Sequence, residues 1–373
     1  MKSLEEENTM NHITEQEKSL LQDVGYKYQQ RAGTCVIIDR EVRLSESSDN
    51  NVVVLPLKEA LSHYDWVQDL MFNLIKPEEN EHVKQASELL DDPIGHFVYV
   101  QDGAEVDLPV QTFSILEIPQ GRQFTHNIVV IGKNAKANVI SGSTVPDSVH
   151  AGHHISINET YLQENAVYNS LSVEHWGKNM QIDSYSRTQL DKNASSTSTE
   201  IVINPTKQHY TESKTYIGAG ASNKDETIVF APTDSHRIMD SEIYLQGEGA
   251  QSESISRMVS AGGSITNNAR LIGEIGNSKG FLGCDGLKLN DAGEILSIPA
   301  LLAKNHQAQL SHEASIGMIS EEKIAYLMAS GVSEEDARSL LVRGFLNLNE
   351  CELPENIKAS VMAMIDLAKS GAM

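Results

Sequence analysis

The chain has 373 residues, a formal net charge of −23 and an aromatic content of only 5%. The charge excludes nucleic-acid binding, because phosphates would repel so acidic a surface, and it argues equally against anionic membranes. No apolar run approaches the length of a membrane span, and the polar N-terminus carries no signal peptide, so we predict a cytoplasmic protein with neither nucleic acid nor membrane as a partner.

The N-terminal region predicts a mixture of helices and strands and offers no recognisable chemistry. A T-x-x-E capping box at Thr14 indicates a helix that runs to about Gln30. An alternating strand and two amphipathic helices are then predicted at Thr34–Asp39, Leu57 to about Ile75, and Glu81–Leu90.

From Gly95 to about Leu310 the sequence is typical of short strands joined by small-residue turns. A strand–turn–strand pattern surrounds Asp102-Gly103. Further turns recur at intervals of 31, 28, 27 and 29 residues, at Asn134-Ala135, Asn165-Ala166, Asn193-Ala194, Gly220-Ala221 and Gly249-Ala250. A fixed period of this size with strand texture favours a parallel β-helix over the alternative, a β-sandwich with regular turns.

The C-terminal tail is predicted to be helical. Ser320 is a helix N-cap and Gly331 a helix end, while Ser333 opens a second helix. A third is predicted from Pro354 to Gly371. Helices in this position are expected to cap the open end of a solenoid.

The candidate site lies between Phe281 and Gly317. Cys284 is followed by Asp285, and His312 by Glu313; Cys, His and Glu side chains can ligate a transition metal or an iron–sulfur cluster. The alternatives are a buried structural cysteine and a solvated polar pair. Because adjacent residues of a strand point to opposite faces, His312 and Glu313 can serve one centre only at an edge or interface.

Other histidines and cysteines carry weaker signals. His150, His153 and His154 form an H-x-x-H-H group, for which we favour a surface or turn position over a metal site. Cys35 and Cys351 have no ligand pattern nearby and are interpreted as structural, and three scattered cysteines do not make a disulfide framework.

Several stretches together resemble the SufB/SufD family of iron–sulfur cluster assembly scaffolds. Between Phe281 and Gly317 the resemblance rests on Cys-Asp at 284–285, Ile-Pro-Ala at 298–300 and His-Glu-Ala-Ser at 312–315. It rests also on three further segments: HFVYVQDGAEVDLPV, FTHNIVVIGKNAKANVISGST and GVSEEDARSLLVRGFL. It implies a mostly β chain: a mixed helical region at 1–94, a right-handed parallel β-helix at 95–317, and a helical domain at 318–373.

The resemblance also implies a function and partners. Cys284, His312 and Glu313 would be ligands of a labile cluster, of unknown type, assembled at an interface between two protomers for transfer to apo iron–sulfur proteins. Leu341, Arg343 and Phe345 would contact a SufC-like ABC-type ATPase. The chain has no phosphate-binding G-x-x-x-x-G-K-S/T loop, so ATP hydrolysis would belong to that separate subunit and this chain would be a scaffold rather than an enzyme.

One departure from the family pattern leaves the sulfur source open. The cluster-carrying member commonly has a second cysteine in the middle of its β-helix, and the matching segment here, SSTSTEIVINPTKQHYTE, has none. The chain is also short for that member, which suggests a minimal system in which a second copy replaces a SufD-like protomer. The alternatives are a SufD-like partner without ligands, a carbohydrate-active β-helix, for which aromatic residues are scarce, and a structural solenoid.

Overall fold

The computed structural model describes residues 13–88, 92–202, 206–346, 358–359 and 362–363. The protein is mostly β and forms a parallel β-solenoid of about eight turns with short helices near both ends, which confirms the predicted fold class. Among the described residues, no helix is both long and apolar enough to cross a membrane.

Two long sheets form the sides of the solenoid. Sheet A has ten strands in the spatial order β19-β17-β15-β13-β11-β9-β7-β5-β1-β2, with these bounds: β1 Gly33–Ile38, β2 Glu41–Ser47, β5 Val110–Ile115, β7 Lys136–Thr144, β9 Val167–His175, β11 Ser195–Val202, β13 Ser222–Pro232, β15 Gln251–Ala261, β17 Lys279–Lys288 and β19 Gln309–Met318. Sheet B has nine in the order β18-β16-β14-β12-β10-β8-β6-β4-β3: β3 Val52–Pro56, β4 His96–Val100, β6 Arg122–Ile131, β8 Ala151–Leu162, β10 Asn179–Leu190, β12 Gln208–Ile217, β14 His236–Leu245, β16 Ser264–Gly273 and β18 Glu294–Ala303.

Six short helices are described beside the sheets. They are α1 Glu15–Asp23, α2 Leu57–His63, α3 Asp65–Gln68, α4 Glu81–Ser87, α5 Glu321–Ala329 and α6 Glu334–Leu346, with a 3₁₀ turn at Pro77–Glu79 before α4. Strand β1 already pairs in parallel with β5, so sheet A includes strands that precede residue 95. The domain boundaries at 94/95 and 317/318 stay predictions.

The predicted repeat turns coincide with the corners of the solenoid. Asn134, Asn165 and Asn193 adopt φ values of 57°, 59° and 59°, a left-handed conformation that asparagine and glycine tolerate best. The amide of Asn165 donates to the Asn134 side-chain oxygen at 2.8 Å, and that of Asn193 to Asn165 at 3.0 Å. The alanine after each turn residue is buried, because it faces the interior where successive coils stack.

The N-terminal elements differ from prediction mainly in length. The capping box at Thr14 is present, but α1 already ends at Asp23. The helix predicted from Leu57 breaks at Tyr64, which is extended (φ −129°, ψ 103°), so two short helices replace it. Helix α4 ends at Ser87, and residues 89–90 of its predicted range lie outside the described part.

The strand–turn–strand pattern at Asp102-Gly103 is also only partly right. HFVYV forms β4 of sheet B, but the next strand is β5 of sheet A, so this turn connects two sides of the solenoid rather than two paired strands.

The first two predicted C-terminal helices form, but they do not lie over the open end of the solenoid. Ser320 accepts from the Lys323 amide and Ser333 from the Asp336 amide, as N-caps do. Helix α6 buries Val342 and Leu346 in a cluster that covers the outer face of sheet A, so the expectation that the helices cap the open end is wrong. Strands β18 and β19 remain largely exposed there. Of the third helix, predicted from Pro354 to Gly371, only residues 358–359 and 362–363 are described, and these four are helical.

Candidate functional site

Cys284 lies in the interior of the solenoid, one strand from its open end. It is on β17, pairs with Ser256 on one side and with Ala314 of the edge strand β19 on the other, and is 2% exposed. Val229, Met258 and Ile265 belong to the same buried cluster. Only the methyl group of Ala314 follows in register, so a single thin layer separates the thiol from the open end.

Polar groups contact the thiol in this apolar setting. The Asn267 amide donates to Sγ at 3.5 Å. Burial raises the pKa of the Cys284 thiol, the Ser297 and Asn267 side chains oppose that effect, and the Asp285 carboxylate adds to it. The neutral thiol therefore predominates at neutral pH, while donors are already in place that would stabilise a thiolate.

His312 and Glu313 lie on the edge strand β19 and are exposed. His312 pairs with Leu282 and Glu313 with Gly283. Partners in a parallel ladder share a face, so His312 is on the inward face with Cys284, one strand and two residues away, whereas Glu313 is on the outer face. The spacing corresponds to a Cα separation of about 8 Å. Within one chain, only two of the three predicted ligands share a face.

The sequence reasoning missed the polar interior behind Cys284. Ser172, Glu200, Thr227 and Ser256 occupy the same register position on successive strands of sheet A. With Asn267 they line a cavity of about 330 Å³ in the interior. Burial, with the carboxylate of Glu174 nearby, raises the pKa of Glu200 to about 7. The sequence does contain a signal for this polar interior, because these polar residues recur at the period of the repeat.

The three clustered histidines separate in the structure. His154 is buried and its Nδ1 lies 2.7 Å from the Gln123 side-chain oxygen; burial lowers its pKa to about 4. His153 is on the opposite face, where its Nε2 lies 2.6 Å from Asp183 Oδ2, and His150 is exposed. They do not share one site. Cys35 is fully buried, which raises its pKa to about 12, and Cys351 is outside the described residues.

The predicted ATPase-contacting residues are half-buried on α6. Phe345 packs against the cluster on the outer face of sheet A, and Leu341 packs against the cluster that joins α5 to α6. Arg343, in the last turn, is also half-buried. The exposed apolar side chains of these helices are instead Tyr326, Met328 and Leu340.

Comparison with known proteins assigns the chain to a family. Residues 115–345 match the family model described as "SUF system FeS cluster assembly, SufBD core domain". An "Iron-sulfur cluster assembly SufBD family protein" of Archaeoglobus fulgidus is 32% identical over 355 residues, 95% of each chain. A protein of the same description from Methanothermobacter thermautotrophicus is 27% identical over 95% of this chain and 88% of its own length.

A more distant relative carries a more specific name. The "Iron-sulfur cluster assembly protein SufB" of Bacillus subtilis is 24% identical over 284 residues, which is 75% of this chain and 61% of that protein. The matched core domain, the relative of full length and the parallel solenoid agree. The chain therefore belongs to the SufBD family of iron–sulfur cluster assembly proteins.

Proposed function

We propose that this chain is a scaffold on which an iron–sulfur cluster is assembled, with Cys284 as a ligand. The observation that carries the proposal is the position of Cys284, an interior thiol one strand from an open end, with His312 on the same face of the edge strand. Thiolate and imidazole are both established iron–sulfur ligands. The cluster is cargo, to be passed to apo iron–sulfur proteins in the cytoplasm.

The ligand set within one chain is incomplete, which supports assembly at an interface. Glu313 is on the outer face of β19 and cannot reach an interior centre beside Cys284 without a change at the edge. A second protomer that pairs with β18 and β19 would bury both faces and supply further ligands. We propose a second copy of this chain in that role, with a SufD-like protomer as the alternative.

We also propose a SufC-like ABC-type ATPase as the partner of α5 and α6. Dimerisation of two ATPase subunits would be transmitted through these helices to the protomer interface and would expose Cys284 and His312. The support is the pair of helices attached to the last coils by Ile319, Ile324 and Leu287, with exposed apolar residues on their outer side.

The test is anaerobic reconstitution with iron and sulfide, followed by visible absorption and bound iron. Wild type should develop a chromophore that Cys284→Ser does not, while Cys35→Ser, the matched buried control, should behave as wild type. Because mixed ligation holds a cluster less tightly than four thiolates, the chromophore should be lost during gel filtration with chelator. Equal chromophores in wild type and Cys284→Ser would refute the ligand assignment.

One observation favours a second candidate function, a SufD-like partner that supports assembly without ligands. A thiol that is 2% exposed with a raised pKa is also what a structural cysteine shows. That function predicts that neither wild type nor Cys284→Ser develops a chromophore alone. A chromophore would then form only when a separate cluster-carrying scaffold is added.

A further inference from the structure

His82, His153 and Asp183 meet on the outer face of sheet B. His82 is on α4, His153 on β8 and Asp183 on β10, and one ligand-type atom from each lies within 4.8 Å of the others. His153 Nε2 is 2.6 Å from Asp183 Oδ2, and His82 Nδ1 is 4.0 Å from the same oxygen. In the described ranges, no other group of three His, Cys, Asp or Glu side chains is close enough to hold a metal ion.

The fold holds the three side chains in place by contacts that do not involve them. Strand alternation sends His154 inward and His153 outward. Asn80 caps α4 by accepting from the His82 amide at 2.7 Å, which fixes His82 as the second residue of the helix. Val83 of α4 and Ile155 of β8 are fully buried in one cluster with Tyr185, so α4 is attached directly beside the group.

The surroundings suit a bound cation that enters from solvent. The side chains of His82, His153 and Asp183 are 24%, 20% and 10% exposed. The Gln181 amide donates to Asp183 Oδ2 at 3.0 Å, a contact of the kind that orients a ligating carboxylate. The Tyr185 hydroxyl lies 3.0 Å from His82 Nδ1 and is a hydrogen-bond partner of that ring.

Burial and hydrogen bonding act on two of the three side chains. Burial lowers the pKa of His82, which disfavours its charged imidazolium form. The pKa of Asp183 is lowered: burial acts to raise it, but the hydrogen bonds from His153 and Gln181 outweigh that effect. The nearby Arg122 guanidinium is turned aside, since it bonds the Gln85 side-chain oxygen at 2.9 Å and lies over the Phe124 ring.

We propose that His82, His153 and Asp183 bind a divalent transition metal ion of the Zn²⁺ type, which ties α4 to the solenoid. Two imidazoles and one carboxylate suit such ions better than Mg²⁺ or Ca²⁺, which prefer oxygen ligands. Tetrahedral bonds of about 2.0–2.1 Å place ligand atoms about 3.3 Å apart. The His153–Asp183 pair at 2.6 Å must open slightly and His82 must approach from 4.0 Å, both within the reach of side-chain rotation.

This site is separate from the candidate cluster site. Strand β10 lies four strands from the edge strand β18, about 19 Å along the solenoid, and the three side chains are on the outer face whereas Cys284 is inside. Its test therefore uses the full chain carrying Cys284→Ser and His312→Ala, which removes the predicted cluster ligands. The failure of either proposal leaves the other standing.

The probe is Co²⁺ as a spectroscopic substitute for Zn²⁺, added to chelator-treated protein. We expect one equivalent to give the ligand-field bands of a four- or five-coordinate site, and Zn²⁺ to displace it. His82→Ala, His153→Ala and Asp183→Asn should each abolish the bands and weaken Zn²⁺ binding, measured by competition with a chromophoric chelator, by more than the ~10–100-fold typical of a second-shell change. His150→Ala, an exposed neighbour in sequence, is the matched control and should bind as the parent does.

Thermal stability supplies a second readout. An ion bound only by the folded chain raises Tm in proportion to the logarithm of its concentration above Kd, so Zn²⁺ should raise the Tm of the parent and of His150→Ala but not of Asp183→Asn. Asp183→Asn keeps the size of the side chain and guards against a variant that does not fold. No bound metal in the parent, or equal binding in the parent and all three variants, would overturn the proposal.

Discussion

Glu159 is the clearest case of one residue that holds two parts of the molecule together. It is on β8, is fully buried, and accepts hydrogen bonds from the backbone amides of Phe72, Leu74 and Ile75 at 2.9, 2.6 and 3.2 Å. Its Oε2 also lies 2.8 Å from His126 Nε2. The carboxylate thus satisfies the backbone of the segment that precedes α4 and fastens it to sheet B.

We therefore predict that Glu159→Ala costs about 3–5 kcal/mol in the free energy of unfolding, because several buried donors are left without their acceptor at about 1–3 kcal/mol each. The three backbone amides and the His126 ring would lose the acceptor that they share in this largely buried site. Urea denaturation of wild type and variant measures the difference. Glu164→Ala, in a solvent-exposed pair with Lys192, is the control and should leave the midpoint unchanged. A similar small shift for both variants would contradict the role given to Glu159.

We predict how the reactivity of the Cys284 thiol depends on pH. Because burial and the Asp285 carboxylate raise its pKa, the thiolate fraction at neutral pH is below that of an ordinary cysteine and grows as pH rises. The rate of alkylation of Cys284 by iodoacetamide can be followed by mass spectrometry as a function of pH. Its midpoint should lie at higher pH than the midpoint for the thiol of free glutathione.

Asp285→Asn sharpens that test. The substitution removes a negative charge beside the thiol, so the midpoint should move to lower pH. Arg257, which lies 3.7 Å from Asp285, keeps its ion pair with Glu226. Cys35, with a pKa of about 12, should stay unmodified throughout as an internal control. If the midpoint for Cys284 in the wild type lies at or below that of glutathione, the pKa of this thiol is not raised.

At the scale of elements, the C-terminal helices use one set of residues to pack against sheet A and another to form an exposed groove. Val342, Leu346 and Phe345 attach α6 to the outer face of sheet A. On the other side, Tyr326, Leu327 and Leu341 line a shallow apolar groove between α5 and α6, and Tyr326 is 74% exposed. The groove is thus the better candidate for the ATPase contact, and Phe345 contributes by holding its helix in place.

We predict that Tyr326→Glu and Leu341→Glu abolish co-purification of the ABC-type ATPase. The introduced charge would be desolvated in an apolar contact without a partner, which is costly. Tyr28→Glu, also strongly exposed but in the N-terminal region, is the matched control. Undiminished binding by both groove variants, with far-UV circular dichroism unchanged, would refute this contact surface.

Among the elements, those with local causes were predicted best. The corner turns need a residue that tolerates positive φ followed by a small side chain that fits the interior, and Asn134-Ala135 and its repeats meet both needs locally. Helix α1 begins where its capping box predicts but ends early, and the helix from Leu57 breaks at Tyr64. Helix α1 packs against the outer face of sheet A and the helix from Leu57 against sheet B, and the periodicity of the sequence does not contain these contacts.

At the scale of the whole molecule, the solenoid is open at one end. Strands β18 and β19 are the last in their sheets, and their outer edges have no strand partner among the described residues. Leu296, Ile298, Leu302, Ile316 and Met318 are exposed there. An exposed apolar edge is a template for pairing with another chain, and a closed two-fold arrangement would bury two such edges at once.

We predict that the purified complex contains two copies of this chain and that Leu296→Lys with Ile316→Lys converts them to single copies. Charges on the edge disfavour strand pairing and desolvation. Sedimentation velocity measures the change. Ile238→Lys, on an exposed position of β14 away from the end, is the matched control. A complex that forms only when a second, different scaffold protein is added would refute the two-copy arrangement.

The sequence by itself determined the class of fold, because a solenoid is a local rule repeated: each coil needs the same turn chemistry and the same alternation, and both are visible at intervals of 27 to 31 residues. It also singled out Cys284, His312 and Glu313. Only the tertiary structure decided that Cys284 and His312 share an interior face while Glu313 is outside, that the C-terminal helices lie along sheet A, and that His153 joins His82 and Asp183. These contacts join residues distant in the chain, and they depend on strand register and on helix packing across coils, which no local pattern encodes.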